Sequence, residues 1–162
     1  MEELSTIPTP CTTKIQALRD SIAQIIVGQT QATDLLLTSV IARGHVLIEG
    51  VPGVAKTLLA RVMAQLIDAR FSRVQFTPDL MPSDVLGTTV YNMKTGDFDF
   101  HPGPVFADVV LADEINRAPA KTQAALFEVM EERQVTVDGT PRAMSDVFTI
   151  IATQNPVEQE GT

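Results

Sequence analysis

Apolar residues near the amino end recur at helical intervals. Ile15, Leu18, Ile22 and Ile25 follow one another at spacings of three, four and three, which puts them on one face of a helix that Thr12 or Thr13 would cap. Val27-Gly28-Gln29 breaks that pattern, and a second helical stretch runs from about Thr30 to Arg43, closed by Gly44. The next run, His45-Val46-Leu47-Ile48-Glu49, is short and apolar and meets Gly50-Val51-Pro52-Gly53 at once, as a buried strand ending in a tight loop does. From Lys56 to about Ala69 the period is again helical, so strand, glycine-bearing loop and helix follow with almost no linker.

Two later apolar runs, Val105 to Ala112 and Val147 to Thr153, are predicted to be further buried strands. Between them, Pro119 to Arg133 reads as a helix with Leu126, Phe127 and Met130 on one face. Such alternation predicts an α/β fold, a mostly parallel sheet with helices on both sides. Two hairpins are grafted onto it. Lys94-Thr95-Gly96-Asp97 separates Thr88 to Asn92 from Phe98-Asp99-Phe100, and Asp138-Gly139 turns the chain after Val135-Thr136-Val137. Phe98 and Phe100 share one side of their strand, either packed in the core or turned toward a partner.

The chain has 162 residues, 44% of them hydrophobic, enough for one domain with a continuous core. No window approaches the roughly 20 apolar residues of a membrane span, and an amino end carrying Glu2, Glu3, Pro8 and Pro10 lacks the layout of a signal peptide, so the expected location is cytoplasmic. One cysteine, Cys11, forms no internal disulfide. A net charge of −8 makes nucleic acid and anionic lipid poor partners. His45 and His101 have no zinc-site spacing and read as ordinary strand or loop residues.

Gly50 to Thr57 reads G-V-P-G-V-A-K-T, a Walker A pattern with Ala55 in place of the second glycine. Small residues let the backbone curl and aim N–H groups at phosphate oxygens, with a helix N-terminus behind them. Lys56 would neutralise the β and γ phosphates and the Thr57 hydroxyl would coordinate magnesium. The plain alternative is a strand-to-helix turn with an exposed lysine. Ala55 is harmless there only if its φ is negative. Val109 to Glu114 is an apolar strand whose carboxyl end delivers Asp113 and Glu114, and open parallel sheets bind ligands at that end. Asp113 would hold magnesium and Glu114 would polarise the attacking water. A third strand ends at Ala152-Thr153-Gln154-Asn155-Pro156, where Asn155 could bond the γ-phosphate and the water, or simply serve the turn.

Five ordered segments then resemble one family, the MoxR group of AAA+ ATPases: Gly50 to Thr57, Gln75-Phe76-Thr77-Pro78-Asp79-Leu80, Ala112-Asp113-Glu114-Ile115-Asn116-Arg117-Ala118, Met130-Glu131-Glu132-Arg133-Gln134-Val135 and Ala152 to Pro156. The family's own Walker A commonly reads A-K-T, so Ala55 agrees with it. This resemblance implies a three-layer α/β/α P-loop NTPase core over 27–162, preceded by a tail and helix over 1–26. ATP or ADP with Mg2+ would be held by Val27 and Gly28 beside the adenine and by Gly50, Val51, Pro52, Gly53, Val54, Ala55, Lys56, Thr57 and Leu58 around the phosphates. Thr57 and Asp113 would serve the metal, and Asn155 would be the sensor-1 residue. The hairpins would be the helix-2 and pre-sensor-1 inserts. The resemblance further implies a homo-oligomeric ring, usually a hexamer, that remodels protein complexes as a chaperone with a von Willebrand factor A domain partner. Arg117 would be an intersubunit contact or a plain surface arginine.

In that family the arginine finger, the last core strand and the helical lid lie beyond the segment matching Thr162, so the chain by itself is expected to bind ATP and hydrolyse it slowly or not at all. Two competing readings stand beside the ATPase. One is a non-catalytic nucleotide-binding switch. The other is a small-molecule kinase, in which the hairpins and Asn155 would have no evident task.

Overall fold

The computed structural model describes residues 10–50 and 56–155. The elements are α1 (Pro10–Ile25), α2 (Thr30–Ile41), β1 (Val46–Glu49), α3 (Lys56–Leu66), β2 (Phe71–Gln75), α4 (Pro82–Leu86), β3 (Gly87–Asn92), β4 (Asp97–Pro102), β5 (Val109–Asp113), a 3-10 turn (Ile115–Arg117), α5 (Ala120–Glu132), β6 (Gln134–Val137), β7 (Thr140–Ala143) and β8 (Thr149–Gln154). β1, β8, β5 and β2 form a four-stranded parallel sheet in that order, and β3–β4 and β6–β7 are separate antiparallel pairs.

Alternation along β5 shows why the sheet is covered on both sides. Val109 and Leu111 enter a cluster with Ile22 and Ile26 of the first helical segment, Leu36 and Leu37 of α2, and Leu59 and Met63 of α3. Val110 and Ala112 point the other way, into a cluster with Phe76, Val85, Leu126, Val129 and Phe148. A strand buried on both faces has no polar alternation, hence the unbroken apolar run in its sequence. The three-layer α/β/α arrangement follows, with α1, α2 and α3 on one face and α4 and α5 on the other.

Several local expectations change. Thr12 and Thr13 lie inside α1, which already includes Pro10. Its buried positions are Ile22 and, just past its end, Ile26, whereas Ile25 is 53% exposed, because Ile26 and not Ile25 continues the four-residue step from Ile22. At the end of α2 the left-handed residue is Arg43 (φ 54), and Gly44 follows it, donating its N–H to the Ser39 carbonyl at 2.7 Å. The strand expected from Val105 begins only at Val109. Asp108 is held out of it by Arg70, whose main-chain N–H and guanidinium Nη2 donate to its carboxylate at 2.8 and 3.0 Å. Val105 instead plugs the core from a loop, bonding Val85 O at 3.2 Å. On α5 the buried face is Thr122, Leu126 and Val129, with Phe127 turned out at 51% exposure. β1 is half-covered, its Leu47 54% exposed, since it pairs only with β8 among the described residues.

Both hairpins form as the sequence indicates, and Asp138 (φ 50) with Gly139 (φ 74) makes the second turn. Phe98 is exposed, stacked edge-on against Tyr91, while Phe100 is half-buried beneath the Arg142 guanidinium at 3.9 Å, so a cation–π contact joins β4 to β7. At the base of the first hairpin the backbones of Gly87 (φ 95) and Gly103 touch. A Cβ on Gly103 would sit 2.3 Å from Val85 O and 2.4 Å from Gly87 N.

His45 ties three elements together. Its Nδ1 accepts the Ile150 N–H at 2.9 Å, its Nε2 lies 3.2 Å from Met130 O, and its ring meets Phe148 edge to face. That pattern fits the neutral ring with the proton on Nε2. Burial lowers its pKa, opposed by the Met130 carbonyl and aided by Arg133. Among the described residues no group of three or more His, Cys, Asp or Glu side chains could hold a metal ion, and no helix is long and apolar enough to cross a membrane.

Two outcomes are expected. Gly103→Ala should lower unfolding free energy by about 2 kcal/mol or more, read from urea titration, because backbone must move to admit the methyl group. The lowered pKa of His45 means the unfolded chain takes up its proton first as pH falls. The stability contribution is therefore complete above the unfolded value of about 6.5 and lost below it. Urea midpoints should fall between pH 7.5 and 5.5, and His45→Gln should flatten that decline.

Candidate functional site

β1, β8 and β5 lie side by side and parallel, with Glu49 opposite Gln154 and Ala112 opposite Ala152, so their carboxyl ends open on one crevice. At a strand spacing of about 4.8 Å, the tips of β1 and β5 are on the order of 10 Å apart with the tip of β8 between them. This brings together Gly50, Asp113, Glu114 and Asn155, while α3 begins at Lys56 on the same rim. Val51, Pro52, Gly53, Val54 and Ala55 lie outside the described residues, and so does Pro156.

On the β1 side, Gly50 N–H meets Gln154 O at 3.4 Å, and Gln154 Nε2 donates to Glu49 Oε1 at 3.1 Å. Lys56 folds back, its ammonium donating to Gly50 O at 2.7 Å, which tethers the charge at the mouth of the loop. Thr57 is half-buried in the first turn of α3 and Leu58 is 45% exposed. Val27, 89% exposed, and Gly28 (φ 82) form the turn between α1 and α2.

On the β5 side the two acids are arranged differently. Asp113, its side chain 16% exposed, accepts from Arg73 Nη2 at 2.8 Å and Nε at 3.2 Å, both through Oδ2. Its Oδ1 accepts from the Thr153 hydroxyl. Glu114 adopts a left-handed backbone (φ 57, ψ 49), a conformation that costs a non-glycine residue roughly 1–2 kcal/mol. Its N–H donates to Thr153 Oγ1 at 3.0 Å. Its carboxylate Oε2 receives Gln75 Nε2 at 2.8 Å and Arg117 Nη1 at 2.9 Å.

Both arginines are half-exposed, so water competes for their guanidinium groups and a ligand with stronger charge could displace them. The site offers one ammonium group, a helix N-terminus and two carboxylates at the end of a sheet. That set suits an anion neutralised by a hard cation, which would draw its other ligands from the anion's own oxygens.

Arg73, Gln75 and Thr153 carry no role in the sequence reading. Their signal was positional, since Gln75 pairs with Asp113 across the sheet and Thr153 follows Ala152 on β8. Polar residues at neighbouring strand tips face the same crevice, but strand order is needed to know which tips are neighbours.

A profile of the ATPase family associated with various cellular activities (AAA) matches residues 45–162. The chain is 53% identical over 143 residues to the uncharacterized protein YeaC of Bacillus subtilis, covering 88% of this chain and 45% of that protein. It is 52% identical to the chaperone MoxR1 of Mycobacterium tuberculosis over 140 residues, 86% of this chain and 37% of the relative. A crystal structure of a candidate ATPase from Cytophaga hutchinsonii superposes with a TM-score of 0.82 at 49% identity, covering 93% of this chain and 46% of that one. The chain thus spans less than half the length of these relatives. With the P-loop strand order and the ordered motifs already described, these matches place it by descent as well as by shape: the chain belongs to the ATPase family associated with various cellular activities, within its MoxR group.

Proposed function

We propose that the chain binds ATP with Mg2+ and is the nucleotide-binding part of an ATP-hydrolysing MoxR-type chaperone. The observation that carries this reading is the convergence of Lys56, Asp113, Glu114 and Asn155 on the crevice between three parallel strand tips. In this reading residues 27–162 form the nucleotide-binding unit and 1–26 a tail and helix packed on it.

The Lys56 ammonium would leave Gly50 O for the β and γ phosphate oxygens, and the first turn of α3 would add its N–H groups. Gly50 to Leu58 would wrap the phosphates, with Val27 and Gly28 beside the adenine. Thr57 and Asp113 would hold Mg2+, whose hard oxygen preference fits a hydroxyl and a carboxylate. Bound there, the ion would supply charge neutralisation on the β and γ phosphates. Glu114 would take the proton of the attacking water, and Asn155 would hold that water and the γ-phosphate. For this, Glu114 has to leave Gln75 and Arg117.

Remodelling of protein complexes belongs to the same proposal, supported by the similarity to a chaperone, and homo-oligomerisation into a ring, a von Willebrand factor A domain partner and a cytoplasmic location are proposed with it from the family resemblance. Arg117 would then serve a neighbouring subunit. The second reading, a nucleotide-binding switch without turnover, is favoured by the pairing of both acids with arginines.

Equilibrium binding of ATP, with and without Mg2+, together with phosphate release, separates these. Lys56→Ala should weaken ATP binding about 10- to 100-fold, the worth of a charge-assisted contact. Glu114→Gln should keep binding and lower turnover by about 100-fold or more. Unchanged affinity in Lys56→Ala would sink the phosphate site. Unchanged turnover in Glu114→Gln would favour the switch.

A further inference from the structure

We propose that Thr153 is a positioning residue of this site, setting Asp113 for the metal and Glu114 for the water through one hydroxyl. The inference rests on the ATP-and-magnesium reading above and adds to it a residue that touches neither nucleotide nor water.

Thr153 is 2% exposed and sits near the end of β8, the strand between the two halves of the site. A hydroxyl has one proton and two lone pairs. Here the proton goes to Asp113 Oδ1, and a lone pair receives the Glu114 N–H at 3.0 Å. The β5–β8 register ends at Ala112 opposite Ala152. Beyond it the Thr153 side chain takes over the role of a ladder carbonyl and holds Glu114 where its backbone turns left-handed.

The donated proton has a second effect. It occupies Oδ1, so Arg73 reaches Asp113 through Oδ2 alone, with both Nε and Nη2 on that one oxygen. Remove the hydroxyl and the carboxylate is free to rotate and offer both oxygens to the guanidinium fork, a stronger pair. Thr153 therefore keeps Asp113 exchangeable between arginine and metal. The same removal leaves the Glu114 amide without its acceptor, in a backbone state that nothing else on β8 enforces.

The test compares the wild-type chain with Thr153→Val, which keeps the shape and loses the hydroxyl, and Thr153→Ser, which restores it. A fluorescent ATP analogue is titrated at fixed Mg2+ and without it, and hydrogen exchange of the Glu114 amide is followed by NMR. In Thr153→Val the metal-free affinity should stay within about twofold, the Mg2+ concentration for half-maximal tightening should rise about five- to tenfold, and the Glu114 amide should lose protection. Thr153→Ser should return both to wild type.

A purely structural role would weaken binding equally with and without metal, and that result overturns the inference. So does a Val form with wild-type Mg2+ dependence and amide protection. A wild-type chain lacking Mg2+-dependent binding overturns the ATP reading, and this inference with it. Thermal unfolding checks the fold, and if the Val form does not fold, Thr153→Cys replaces it: its weak thiol donor should raise the Mg2+ requirement, and a wild-type requirement would overturn the inference.

Discussion

Parallel pairing of β8 between β1 and β5 is the constraint on which everything else depends. A parallel sheet has no tight turns between neighbours, so each strand must be followed by a helix or an excursion before the next one enters. That forces every strand to end at the same rim. The chain leaves β1 through α3, passes over two strand positions to β2, and returns through β5 and then β8, which fills the place between β1 and β5. Residues more than a hundred positions apart, such as Glu49 and Gln154, become neighbours only when β8 inserts. The crevice is thus made by a strand whose partner on one side lies more than a hundred positions away in the chain.

The energetics of the crevice differ from those of the core beneath it. Below, Leu111, Ile150 and Ile151 are fully enclosed and owe their places to apolar burial. At the rim, Lys56 is held by one hydrogen bond, while Asp113 and Glu114 each pair with a half-exposed arginine and take a further hydrogen bond, from Thr153 and Gln75 respectively. Contrast between a rigid floor and exchangeable side chains gives the site fixed spacing with adjustable contacts. The buried Thr153 belongs to the floor but bonds to the rim, and so joins the two regimes.

Much of this was legible in the residues. The run of Val109 to Ala112 announced a strand buried on both faces, and the apolar run before Gly50 and the helical period from Lys56 announced β1 and α3. The two hairpins followed from Gly96 and from Asp138-Gly139. Failures came where partners distant in sequence decide. Ile25 and Phe127 are apolar yet outward, because burial depends on which side a neighbouring element occupies. Asp108 stays out of β5 because Arg70 holds it, and the periodicity of residues 105–112 contains no trace of that arginine. Arg73, Gln75 and Thr153 likewise gained meaning only from strand order. The segment 51–55 carries much of the sequence argument for phosphate, while the geometric argument comes from the strand tips around it.

The contact of Arg142 with Phe100 ties together two projections through residues 42 positions apart in the chain. Each hairpin alone is a slender two-stranded ribbon, free to sway about its base. With guanidinium stacked on ring, the two ribbons hold one another at a point away from their bases. One base is the glycine pair at 87 and 103, and the other continues from α5, the helix that follows β5 and its terminal acids. The two projections are thereby joined by a contact at the side as well as by the chain at their bases.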